Sequence, residues 1–225
     1  MKKVNKKIKS QDRILRTVLF FMLYFIYSQV FTSLFGSSIL VNFIADLVFL
    51  VAIVFAYRDN LKEDAKDLKK KYTVGKIIKT ILCWVAIIFV FNIAMGMLTD
   101  LISPNASMDD NTEALDSLFK ISSIYTIFKT MIFAVVAEEL LYREAVHDVI
   151  KNKWLFILAS SVIYTLLNFA WTGFSSNTIL NDVLSYFLPA ILFSYAYYKN
   201  DSNILVLMLI KFTYQLIPLT LMFLG

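Results

Sequence analysis

Residues 133–149 read FAVVAEELLYREAVHDV. The run sets Glu138, Glu139, Arg143, Glu144 and His147 among apolar side chains, and its meaning depends on the solvent around it. The rest of the chain supplies that answer. It is 225 residues long, 59% hydrophobic and only 17% charged, with a mean hydropathy of +0.67, well above that of a soluble domain. Lipid is the expected solvent. With 5 Gly, 3 Pro and no series of alternating ten-residue strands, a membrane barrel is disfavoured and an all-α polytopic bundle of transmembrane helices is expected. An ionisable side chain at mid-bilayer costs about 2.5–3.5 kcal/mol on insertion scales, so each one needs a partner and reads first as functional. Glu139 and Arg143, four residues apart, can pair on one helix face. Glu138 points about 100° away and must be met from another helix.

Working outward, apolar windows long enough to span a bilayer fall at roughly 14–35, 38–57, 77–101, 127–150, 154–171, 180–198 and 203–224, about seven helices in one domain over 14–225. A shorter amphipathic stretch near 114–126, interrupted by Lys120 and followed by Lys129, lies at the interface or forms the outer part of the fourth helix. Residues 1–13 form a basic N-terminus, and the apolar run after them is too long for a signal peptide, so it reads as an uncleaved first span. Basic residues also follow the second span, at Arg58, Lys62, Lys66, Lys69, Lys70 and Lys71, whereas Asp109, Asp110 and Glu113 sit in a stretch without lysine or arginine. That bias predicts a plasma-membrane protein with its N-terminus cytoplasmic and its C-terminus outside. Leu61, Ala65 and Leu68 recur at helical spacing in 58–76, which predicts a short surface helix, either a solvated positive-inside loop or a docking site for a partner or anionic lipid. The net charge of +5 sits beside apolar segments, so membrane lipid is the expected partner and nucleic acid is not. The single cysteine, Cys83, excludes an internal disulfide and reads as a packing residue.

The same arithmetic places other polar side chains near the carboxylates. Glu138 lies fifteen residues before Lys153 and Asn168 fifteen after it, so the two share a depth in an antiparallel hairpin, with Tyr164 one turn from Asn168 on the same face. In the last span Lys211 and Gln215 are four apart, and Lys211 lies about 12 Å inside its cytoplasmic end. A lysine at that position either snorkels or faces a carboxylate in the bundle, and Glu138 is the best candidate for its partner.

With Glu138, Glu139 and Arg143 forming Glu-Glu-x-x-x-Arg, the chain resembles the CAAX protease and bacteriocin-processing (Abi) family of intramembrane peptidases. The resemblance covers about 127–220. In that family a Phe-x-x-x-His motif follows one helix later and a His-x-x-x-Asn motif lies in a late helix. Here those positions read Tyr164-x-x-x-Asn168 and Lys211-x-x-x-Gln215, so only the first motif is intact. The resemblance implies that Glu138 corresponds to the general base for a water, while the missing histidines would position that water and stabilise the oxyanion. Asn168 can still donate an oxyanion hydrogen bond. Lys211 is the graver change, because a nearby ammonium favours ionised Glu138 and lowers its basicity. His147 lies about 13 Å along the axis from Glu138 and does not replace either lost histidine; it reads as interfacial, near Asp148. One histidine and no HExxH predict no metal, and no cofactor is expected.

Four readings follow. The leading one is a degenerate family member that binds another membrane or envelope protein, in regulation, envelope biogenesis or bacteriocin immunity. The second is a working glutamate-type endopeptidase using Glu138. The bland alternative is a buried polar network that only fixes helix register. A transporter or channel ranks last, because no pair of Gly/Pro-broken helices is visible.

Overall fold

In a computed structural model, residues 2–102, 117–172 and 186–224 are described, and among them every regular element is helical. The acidic stretch that holds Asp109, Asp110 and Glu113 lies outside the described residues. Helix α1 (Lys2–Phe35) ends at Gly36, whose φ of +83° is left-handed backbone that glycine adopts without strain. Ser38 then starts α2 (Ile39–Ala56), its Oγ accepting the Val41 N–H at 3.2 Å. Next come α3 (Arg58–Lys71), the surface helix read from the Leu61–Ala65–Leu68 spacing, and α4 (Val74–Ile102). Helix α5 (123–149) carries the quoted stretch. Asn152 caps α6 (Lys153–Thr172) by accepting the N–H groups of Trp154 and Leu155 at 3.1 Å. Helix α7 (Leu188–Lys199) has Pro189 in its first turn, where a missing N–H leaves no bond unmade. Asn203 caps α8 (Ile204–Leu224), accepting from Val206 N at 3.2 Å.

Each of the seven expected apolar segments contains a helix, so the chain folds as an all-α membrane bundle. Among the described residues, four stretches are long and apolar enough to cross a membrane: Gln11–Phe35, Ile39–Ala56, Val74–Leu98 and Ile204–Leu224; the apolar stretch of α6, Lys153–Asn168, is shorter. Helix α5 contacts α1, α2, α6 and α8, so its polar residues sit at the centre of the bundle. Phe133, Ala137, Leu140, Leu141 and Ala145 along it are fully buried.

Two expectations change. Helix α5 is not α-helical throughout: Phe128–Glu138 and Leu140–Ala145 are π-wound, with α-helical Ser123–Ile127 and Val146–Val149 at the ends. Glu139, between the two π stretches, has ordinary right-handed helical backbone, with φ −69° and ψ −36°. Cys83 is exposed on α4 rather than packed, since lipid, not protein, is the neighbour that its apolar surroundings suit.

Candidate functional site

Helix α5 brings both glutamates to the last helix. Lys211 Nζ donates to Glu139 Oε1 at 2.6 Å and to the Ala134 carbonyl at 2.9 Å, and lies 3.5 Å from Glu138 Oε2. The sequence reading paired Lys211 with Glu138, and the closer partner is Glu139. The correction follows from how α5 faces α8, which brings Glu139 as well as Glu138 within reach of Lys211. Glu139 also meets Arg143 as expected, with Oε2 3.4 Å from Nε. Glu139 and Arg143 are each 1% exposed and Lys211 is 5% exposed, so this is a charge cluster removed from water, with two cations against two carboxylates. Neutrality permits such burial where single charges would be expelled.

Arg143 is held by more than its carboxylate. Its guanidinium lies 5.2 Å from the Tyr164 ring centroid and donates to the Ala190 carbonyl at 3.5 Å. The hydrogen bonds do not saturate the cluster: Arg143 Nε and Nη1 and Glu139 Oε2 are buried without a hydrogen-bond partner. Arg143 and Glu139 line a cavity of ≈ 170 Å³ together with Lys211, Gln215, Tyr164 and Asn92. That space exceeds what one water needs.

Of the positions singled out in the sequence, Glu139, Arg143, Tyr164, Lys211 and Gln215 come together around this cavity. Glu138 stands beside it, in ion-pair range of Lys211 and with 17% of its side chain accessible. Asn168 donates to the Tyr164 carbonyl on its own helix at 2.8 Å and is not part of the cavity lining. His147 packs edge-on against Phe156 and Tyr197 and approaches the Tyr197 hydroxyl at 3.4 Å, within the end of the bundle that bears α3. Among the described residues, no group of three His, Cys, Asp or Glu is placed to hold a metal.

The sequence reading passed over Asn92, which lines the cavity and donates to the Tyr214 hydroxyl across α4 and α8. It also passed over a second buried ion pair. Asp46, 2% exposed in α2, accepts Lys129 Nζ at 2.8 and 3.0 Å, the Tyr27 hydroxyl at 2.6 Å and the Tyr125 hydroxyl at 2.8 Å. The signal was present, because an aspartate alone in an apolar span requires a partner.

Residues 120–217, from just before α5 into α8, match the family model described as type II CAAX prenyl endopeptidase Rce1-like. The chain carries an Rce1-like domain. The Rce1-like domain therefore contains the whole charge cluster, while α1, α2 and α4, of which α2 and α4 supply Asp46 and Asn92, lie before it. An uncharacterized protein of Mycoplasma capricolum is 26% identical over 191 residues, 82% of this chain. The chain spans about half of that relative, 55% of its length. No solved structure matches.

Proposed function

We propose that this Rce1-like protein is a non-catalytic scaffold or regulator that binds another membrane or envelope protein, bacteriocin immunity being one setting for such a role. One observation carries the reading: the Lys211 ammonium sits where the family resemblance implies a histidine, 2.6 Å from Glu139 and 3.5 Å from Glu138. An ammonium so placed engages both carboxylates in ion pairs. A general base for water must instead be tuned toward neutral pH and be at liberty to take a proton. Asn168, at the position of the other implied histidine, donates to the Tyr164 carbonyl of its own helix at 2.8 Å and does not line the cavity.

A second reading, an active glutamate-type intramembrane endopeptidase, is favoured by the cavity itself, which Glu139 and Arg143 line and which is large enough for water. The two separate in one experiment. Purified protein is reconstituted with prenylated CAAX peptides, and cleavage is compared for wild type, Glu138→Gln and the double variant Asn168→His with Lys211→His. The scaffold reading expects no cleavage by wild type, while a membrane partner isolated with wild type still binds Glu138→Gln. Cleavage by wild type that Glu138→Gln abolishes at unchanged protein level overturns it.

A further inference from the structure

Helix α3 is asymmetric about its axis. At about 100° per residue, Arg58, Lys62, Lys66 and Lys69 fall on one flank. The opposite flank docks the helix: Asn60 donates to Glu144 at 2.6 Å, Asp64 accepts the Ile204 N–H at 2.7 Å, and Lys71 pairs with Asp201 at 3.3 Å. Lys62, Lys66 and Lys69 are exposed and, among the described residues, make no ion pair. Below this helix, between α5 and α8, runs an apolar groove of ≈ 480 Å³ whose lining includes Leu68, Val135, Leu205, Met208, Leu209 and Phe212. That volume lies within the range of about 300–1,000 Å³ typical of small-molecule sites. Leu209 and Phe212 are 40% and 42% exposed, so the groove opens sideways, toward the hydrocarbon. Leu68 belongs both to the groove and to α3, so the apolar slot reaches the helix that carries the exposed Lys62, Lys66 and Lys69.

We propose that the groove between α3, α5 and α8 holds an acyl chain of an anionic phospholipid whose headgroup is bound by Lys62, Lys66 and Lys69. The occupant is fixed by charge complementarity: a zwitterionic lipid fits the slot but leaves the ammonium row unanswered, and a bare anion answers the row but leaves the slot empty. This site is separate from the Glu139–Lys211 cluster, so its test is independent of whether the protein cleaves peptides.

The full chain in detergent is titrated with dioleoyl phosphatidylglycerol, dioleoyl phosphatidylcholine or glycerol phosphate, while the thermal midpoint and lipid adducts by native mass spectrometry are followed. Phosphatidylglycerol is expected to raise the midpoint and form a one-lipid adduct, with the other two without comparable effect. Each of Lys62→Gln, Lys66→Gln and Lys69→Gln should weaken that binding by about fivefold, as expected for one basic group near an anionic surface. Lys199→Gln, which removes an exposed lysine at the end of α7, should not. Leu209→Trp, which narrows the slot with every lysine in place, should also weaken it. All variants are compared at equal lipid-free midpoints, and the single lysine changes, on exposed positions, supply the answer where Leu209→Trp misfolds. Equal stabilisation by phosphatidylcholine or glycerol phosphate, or undiminished phosphatidylglycerol binding by all three lysine variants, overturns the proposal.

Discussion

Replacing Lys211 with methionine removes one of the two cations of the cluster, leaving Glu138 without its ion pair and Glu139 with Arg143 alone. Breaking a buried pair from one side costs about 3–5 kcal/mol, because the remaining charge has no solvent to return to. Lys211→Met should therefore lower stability by about that amount in denaturant titrations of the detergent-solubilised protein. Adding Glu139→Gln to Lys211→Met should recover only part of the loss, since the closer carboxylate is then neutral but Arg143 loses its ion pair. A double variant as unstable as the sum of the singles would mean that the 2.6 Å contact contributes nothing. Asp46 makes the same argument away from the cluster: Lys129→Met strands a 2% exposed carboxylate, but two tyrosine hydroxyls still donate to it. Its cost should fall below that of Lys211→Met. At this scale the sequence made Glu138, Glu139, Arg143 and Lys211 legible as one group, because charges in an apolar chain must find one another. Which carboxylate lies nearest the lysine was not legible, since it depends on how α5 faces α8, which residue spacing does not encode.

At the scale of elements, helix α3 is anchored where one carboxylate caps another helix. Asp64 accepts the first N–H of α8, and Asn203 donates to the Asp64 carbonyl at 2.8 Å. Burial pushes the Asp64 carboxyl up to about 6, from an ordinary value of 3.8, against the opposing pull of the Ile204 N–H. The folded state thus holds this proton more tightly than the unfolded chain. The stability linked to it is fully present below about pH 3.8 and is lost as pH rises through about 6. The difference in thermal midpoint between wild type and Asp64→Asn should therefore change between pH 4 and pH 7, with wild type losing ground as the pH rises. A pH-independent difference would show that Asp64 titrates alike in both states. The apolar Leu61–Ala65–Leu68 stripe predicted this helix, and the positions of the other helices followed from hydropathy. The π winding of α5 did not follow, because its apolar residues satisfy an α-helical reading equally well.

Across the whole molecule, the Rce1-like domain covers 120–217, yet its α5 is packed on α1 and α2, which lie before it. Phe20, Tyr24, Phe49 and Ile53 from those two helices belong to the same buried core as Phe133, Leu140 and Tyr142. A fragment beginning at 117 would expose that face of α5 and the unpaired Lys129. Such a fragment should aggregate when expressed alone and recover when 1–102 is supplied as a separate chain, measured as monodisperse protein in detergent. Helix α4 offers a way to watch this assembly. Cys83 is the chain's one thiol, it is exposed, and it lies nine residues before Asn92, which lines the cavity. The native chain therefore has a single attachment point for a spin label or fluorophore. A reporter placed there would register any displacement of α4 when a partner or lipid arrives, with no engineered residue in the bundle.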